Sequence, residues 1–117
     1  MIKAVGTDIA KNSRFDNLNE GVLRKIFTQS ELDEAGRRSD ASAFFSSRFA
    51  AKEAFVKALG KGFKAIKANM IEIRENEDGM PYIVTLSDVL NRDERVFLSI
   101  SHEEEYSVAM VVIDGKE

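Results

Sequence analysis

The hydrophobic period of this chain changes along its length, and each change marks an element. Residues 2 to 9, IKAVGTDI, alternate loosely and are rich in small and β-branched side chains, which predicts a strand with Asp8 at its C-terminal end. Residues 17 to 27 place Leu18, Val22 and Ile26 on one helical stripe, with Leu23 and Phe27 beside it. Arg24 and Lys25 lie away from the centre of that stripe. Thr28, with Glu31 three residues on, forms a capping box, so a second short helix starts there and stops at Gly36. A long helix is predicted from Ser39 or Asp40, both good N-caps, to Leu59, with Gly60 as the left-handed residue beyond it.

Period two then returns. Ile71 and Ile73 alternate with Glu72 and Arg74, Glu77-Asp78-Gly79 supplies a turn, and Tyr82, Val84 and Leu86 complete a hairpin over residues 70 to 86. After a polar loop, two more strands are predicted at residues 96 to 101 and 106 to 113. The helices form one block between the first strand and the rest. That order gives an α+β class, an antiparallel sheet packed on one long helix and shorter helices, rather than a repeating βαβ chain.

The long helix carries the first chemical question. At about 100° per residue, Phe45, Phe49, Val56 and Leu59 share one side, with Phe55 near its edge, and that side is read as core. Glu53 and Lys57 share a flank on which Ala50 and Ala54 leave little bulk. Arg48 and Lys52 fall in or beside the apolar stripe. Their stems can lie over the core while their charges reach water, and Glu53 with Lys57 is then an ordinary helix-stabilising pair of about 0.2–0.5 kcal/mol. Alternatively, the flank is half of a site to which Asp8 adds a second carboxylate. Two carboxylates, completed by water and phosphate oxygens, are what magnesium usually takes from a protein. A lysine one turn along would face the same phosphates, as metal-assisted phosphoryl transfer requires. His102, the only histidine, sits with Ser101 where a strand runs into a polar loop; the pair suits a phosphate contact or an ordinary turn. Neither familiar glycine-rich phosphate loop is present.

Composition narrows the classes. The 117 residues suit a single domain spanning 1 to 117, and 44% hydrophobic with 32% charged residues fits a soluble protein. No apolar run approaches the ~20 residues that span a bilayer, and no signal-peptide pattern opens the chain. The absence of cysteine excludes disulfides, thiolate metal sites and thiol nucleophiles, and fits a reducing cytoplasm. A net charge of −3 argues against a general nucleic-acid binder, so any basic docking face must be local.

Four segments together resemble the holo-[acyl-carrier-protein] synthases, the small phosphopantetheinyl transferases. They are Gly6-Thr7-Asp8-Ile9, Ile26-Phe27-Thr28 with Glu31-Leu32, Arg48-Phe49-Ala50-Ala51-Lys52-Glu53-Ala54-Phe55 with Lys57-Ala58-Leu59-Gly60, and Ser99-Ile100-Ser101-His102. The resemblance implies a 4'-phosphopantetheinyl transferase-like fold and a reaction. The 4'-phosphopantetheine arm of coenzyme A would move to a serine of apo acyl carrier protein, releasing adenosine 3',5'-bisphosphate in support of fatty acid biosynthesis. Asp8 and Glu53 would bind magnesium, Lys57 would contact the pyrophosphate, and either Glu53 or a metal-bound water would take the serine proton. Arg48, Ser101 and His102 would hold the nucleotide and its phosphates, with Phe49, Gly60 and Pro81 lining its pocket. The resemblance further implies a homotrimer with sites between subunits, which would explain why Arg48 and Lys52 face more than their own core. It places carrier docking at Arg14, Arg24 and Lys25. The chain departs from many members at Ala10-Lys11 and at Met80, where a lysine near the nucleotide is lost. Two rival readings of the bare residues remain, a magnesium-dependent nucleotide pyrophosphatase and a non-catalytic module for acidic helices.

Overall fold

The structure is a computed structural model and describes residues 1–116. Strand β1, Ile2–Lys11, runs two residues further than the sequence pattern suggests, because its backbone stays paired until Lys11 meets Tyr106. Asp8 therefore lies inside the strand, opposite Ala109, and not at its end. A 3-10 turn, Asn12–Phe15, leads to helix α1, Glu20–Ile26. The predicted helix from residue 17 starts later because the Asn19 side chain caps it, accepting the Val22 N–H at 2.9 Å. Helix α2, Gln29–Ala35, opens on the expected capping box between Thr28 and Glu31. The long helix α3 spans Ala41–Ala58, and Gly60 beyond it has φ +72°, as a left-handed terminator requires.

Strands β2, Ile71–Glu75, and β3, Pro81–Thr85, make the hairpin, with Gly79 at φ +79° in its turn. Strands β4, Arg95–His102, and β5, Tyr106–Asp114, complete the chain. The sheets are two: β1, β5 and β4 pair antiparallel in that order, and the β2–β3 hairpin stands apart. Among the described residues no helix is long and apolar enough to cross a membrane.

The single apolar stripe expected on α3 is corrected by its surroundings. One side packs on β1 and β5, and other sides meet α2, β2 and the 3-10 turn. Burial consequently runs round the helix. Phe55, read as an edge residue, is fully buried, and Phe49, read as core, is only partly so. Of residues 44 to 58, Phe49, Glu53 and Lys57 alone are not buried. Their spacing of four makes one open lane along the helix.

Lys52 also departs from both sequence readings. It neither reaches water nor faces a ligand. Its side chain is 0% exposed, and Nζ donates to Glu31 Oε1 at 2.6 Å, the Ile26 carbonyl at 2.7 Å and the Ala68 carbonyl at 3.0 Å. Glu31 in turn accepts the Thr28 and Ile73 amides, each at 2.9 Å. The pair ties the end of α1, the start of α2 and strand β2 to α3, with all three ammonium protons placed. Burial lowers the Lys52 pKa, and the charge of Glu31 opposes that shift.

Candidate active site

The site forms because α3 and β1 approach unusually closely. A Cβ at Gly6 would run into the Ala54 carbonyl oxygen and lie 2.9 Å from the Ala58 nitrogen. Only glycine fits, and it meets a helix face of small residues, Ala50, Ala54 and Ala58, all buried. Two residues along β1, Asp8 occupies the same face of the strand, beside the open lane of the helix. There Lys57 Nζ donates to Asp8 Oδ1 and to the Thr7 carbonyl, each at 3.0 Å. Sequence pattern put Gly6 in a motif but could not show that it sets this approach; its only signal was the small-residue flank of α3.

Glu53 sits one turn before Lys57 in that lane. Its pKa is raised above the ordinary value of 4.5, first by burial and then by the charge of Asp8, against the opposing charges of Lys57 and Arg14. Two carboxylates and a lysine therefore converge as the sequence suggested. Arg14 joins them unexpectedly: its guanidinium carbon lies 5.4 Å from the centre of the Phe49 ring. A residue read as a docking contact thus borders the lane itself. Gly60 closes the helix just beyond Lys57.

The donor set fits a hard divalent cation. Among the described residues no three of His, Cys, Asp and Glu gather to enclose a metal. Asp8 and Glu53 instead offer an open pair of oxygen ligands, and a cation would offset both the burial of Glu53 and the lesser repulsion by Asp8 that raise its pKa.

Arg48 belongs to a second cluster on another side of α3. Its Nη2 bonds Glu75 Oε1 at 2.7 Å, its guanidinium carbon lies 4.2 Å from the centre of the Phe44 ring, and its buried Nε has no partner. It lines a cavity of about 330 Å³ in which Arg37, Arg38 and Arg74 stand beside the carboxylates of Glu31, Glu34 and Glu75. Pro81 pairs with Glu75 across the hairpin, so Arg48 and Pro81 share this region. Phe49 does not; it packs with Phe15 and Phe63 beside Arg14.

Ser101 and His102 form a third location at the exposed end of β4, paired with Val108 and Ser107. Among the described residues, no hydrogen bond or ion pair in one protomer joins them to Asp8, Glu53 or Lys57. Of the remaining docking candidates, Arg24 is held by Glu20 at 2.7 Å and by Gln29 at 3.1 Å, whereas Lys25 is exposed.

Comparison with known proteins adds a family to this geometry. A family model described as the 4'-phosphopantetheinyl transferase superfamily matches residues 4–111. The chain is 40% identical to a holo-[acyl-carrier-protein] synthase of Halothermothrix orenii, over 96% of this chain and 97% of that protein. It is 37% identical to one from Thermodesulfovibrio yellowstonii, over 97% and 99%. A solved holo-(acyl-carrier-protein) synthase from Bacillus anthracis, in complex with CoA (3',5'-ADP), is similar with a TM-score of 0.86 and 34% identity, over 99% of each chain. A holo-[acyl-carrier-protein] synthase from Neisseria meningitidis gives a TM-score of 0.86 at 32% identity, over 97% of this chain and 99% of that one.

Proposed function

The chain belongs to the 4'-phosphopantetheinyl transferase superfamily, and on that premise we propose that it transfers the 4'-phosphopantetheine arm of coenzyme A to a serine of apo acyl carrier protein. The observation that carries this reading is the convergence of Asp8, Glu53 and Lys57 where β1 touches α3. In the transfer, the serine oxygen bonds to the phosphorus that bears the pantetheine arm. The bridging P–O bond of the pyrophosphate breaks, and adenosine 3',5'-bisphosphate leaves with the bonding electrons. The serine proton goes to a base within hydrogen-bond reach.

Each residue has a distinct task. Asp8 and Glu53 hold magnesium, which when bound neutralises the pyrophosphate and polarises the phosphorus under attack. Lys57 exchanges its bond to Asp8 for the phosphate oxygens and stabilises the charge that grows on the leaving group. Glu53, one turn before Lys57 in the open lane, is the carboxylate placed to take the serine proton when it is free to act. Arg48 holds a phosphate of the nucleotide; its buried Nε, which has no hydrogen-bond partner among the described residues, supports an anion there. Pro81 and Gly60 flank the nucleotide, Phe49 the arm, and Ser101 and His102 its phosphates. Arg14, Arg24 and Lys25 face the acidic carrier. The reaction takes place in the cytoplasm and supplies fatty acid synthesis.

The working form is a homotrimer. Among the described residues of one protomer, no hydrogen bond or ion pair joins Arg48 or His102 to Asp8, which supports a site completed by a second copy. The outer face of the β1–β5–β4 sheet exposes Val5, Ile9, Phe97, Val108 and Met110, an apolar surface that a second copy would cover. Ser101 lies in the same cross-strand row as Val108 and Ile9, so a copy seated there meets Ser101, with His102 next to it at the strand end.

The direct test mixes the protein with apo acyl carrier protein, coenzyme A and magnesium and weighs the carrier by mass spectrometry. The wild type adds the arm's mass to the carrier; Asp8→Ala and Glu53→Gln do not, though both fold. Near-normal turnover in either variant rejects the site.

A further inference from the structure

Asn12 is only 5% exposed, and no step of the transfer uses it. A buried amide is costly unless its hydrogen bonds are made, and an apolar side chain of the right shape would serve the core as well. Here both amide protons and the amide oxygen have partners. Nδ2 donates to the carbonyls of Glu103 and Glu104, at 3.0 and 3.2 Å. Oδ1 accepts the hydroxyl of the buried Ser107 at 2.8 Å, which turns Nδ2 toward those carbonyls. The Asn12 backbone N–H donates to the Glu105 carbonyl, also at 2.8 Å. One residue thus holds all three main-chain carbonyls of the turn between β4 and β5, although Glu103 is 91 residues away along the chain.

That turn needs holding. Glu103, Glu104 and Glu105 are consecutive and exposed, and three like charges in a row repel one another and oppose a tight connection. One bond closes the turn from within, from the Glu103 N–H to the Tyr106 carbonyl at 2.9 Å. His102 stands immediately before it, exposed, at the last position of β4 and opposite Ser107. Where its imidazole stands is therefore set by the backbone on which Asn12 acts. A fully connected buried polar group of this kind selects one arrangement of the segments it joins.

We propose that Asn12 is a positioning residue for His102: by binding the three carbonyls of the acidic turn, it fixes the end of β4 at which the imidazole meets the phosphates of coenzyme A. Asn12 itself touches neither substrate. The inference rests on the reading that coenzyme A is the donor and that His102 contacts its phosphates.

Calorimetric titration of coenzyme A into the protein with magnesium tests it without the carrier, so the outcome is separate from whether an arm is transferred. Asn12→Asp keeps the size of the side chain and the acceptor for Ser107 but cannot donate to the two carbonyls. In protein whose melting curve shows it folded, it weakens coenzyme A binding about five- to tenfold, and Asn12→Ala, which adds no charge, acts in the same direction. Ser107→Ala removes only the other bond; it lowers the melting temperature but leaves the affinity within about twofold. Repeated in a His102→Ala background, Asn12→Asp changes the affinity by less than about twofold, because the residue it acts through is gone. Unchanged affinity in Asn12→Asp and Asn12→Ala overturns the inference, as does a His102→Ala variant that binds as tightly as wild type. An equal loss with and without His102, or an equal loss in Ser107→Ala, also overturns it, since the amide would then act on the fold at large. If coenzyme A binds as expected but the carrier gains no mass, the reading of the reaction fails and the role of Asn12 stands.

Discussion

Two lysines on α3 each hold a carboxylate, and the settings of the two pairs separate architecture from chemistry. Lys52 meets Glu31 at 2.6 Å with both side chains almost wholly buried, 0% and 1% exposed. Lys57 meets Asp8 at 3.0 Å with the lysine 54% exposed and the aspartate 15%. In the first pair the ammonium spends its protons on Glu31 and two backbone carbonyls, and Glu31 accepts two amides besides. Nothing is left to offer a ligand. In the second pair Lys57 has Thr7 and Asp8 on one side and solvent on the other, so it keeps a proton for a further acceptor. Residue type alone does not separate the two lysines, and helix position places Lys52 in or beside the apolar stripe without showing what it binds. What decides is whether every donor already has a buried acceptor.

The contrast can be broken at three points. The largest effect belongs to Lys52→Ala, which leaves the Glu31 carboxylate and two carbonyls buried without their donor. Urea unfolding should show a loss of about 3–5 kcal/mol; a loss below about 1 kcal/mol would mean that the pair is not the tie described. Lys57→Ala should do the reverse, lowering the transfer rate about 10²–10³-fold while the unfolding free energy changes by no more than about 0.5 kcal/mol. A variant that loses stability and rate together would make Lys57 structural as well.

The smallest effect concerns Glu53, and its sign follows from the raised pKa. A carboxyl that protonates more readily in the fold than in the unfolded chain weakens the fold once pH rises above its ordinary value of 4.5 and the group ionises. Without divalent cation, Glu53→Gln should therefore melt about 1–3 °C higher than wild type at neutral pH. The gain should vanish below pH 4.5, where both states hold the proton. Added magnesium should raise the melting temperature of the wild type but not of Glu53→Gln. If the variant melts lower at neutral pH, the desolvation ascribed to Glu53 is wrong.

Much of this was legible in one dimension. The capping box at Thr28 and Glu31, the left-handed Gly60 and the Asp78-Gly79 turn are local chemistry, and the structure repeats them. The pairing of Glu53 with Lys57 was legible because four-residue spacing on a helix is itself a statement about space, whereas Asp8, 49 residues before Lys57, joins them only through the approach of β1 to α3. The failures have a common source. Phe55 looked marginal and Phe49 central because a single-stripe reading assumes one packing partner, whereas α3 is covered from several directions. Glu31 was read only as a cap, yet one of its oxygens holds Lys52 and the other a strand amide 42 residues away.

The sequence alone determined the α+β class, the order of the elements and the shared helix flank of Glu53 and Lys57. Their spacing acts over one or two turns or along one strand, where covalent geometry transmits it. Tertiary structure alone decided which lysine is interior, that Asp8 meets Lys57, that Arg14 borders the open lane, and that Arg48 turns to Glu75. Those outcomes depend on which surfaces remain after α3 is enclosed, and enclosure is a property of all the elements together.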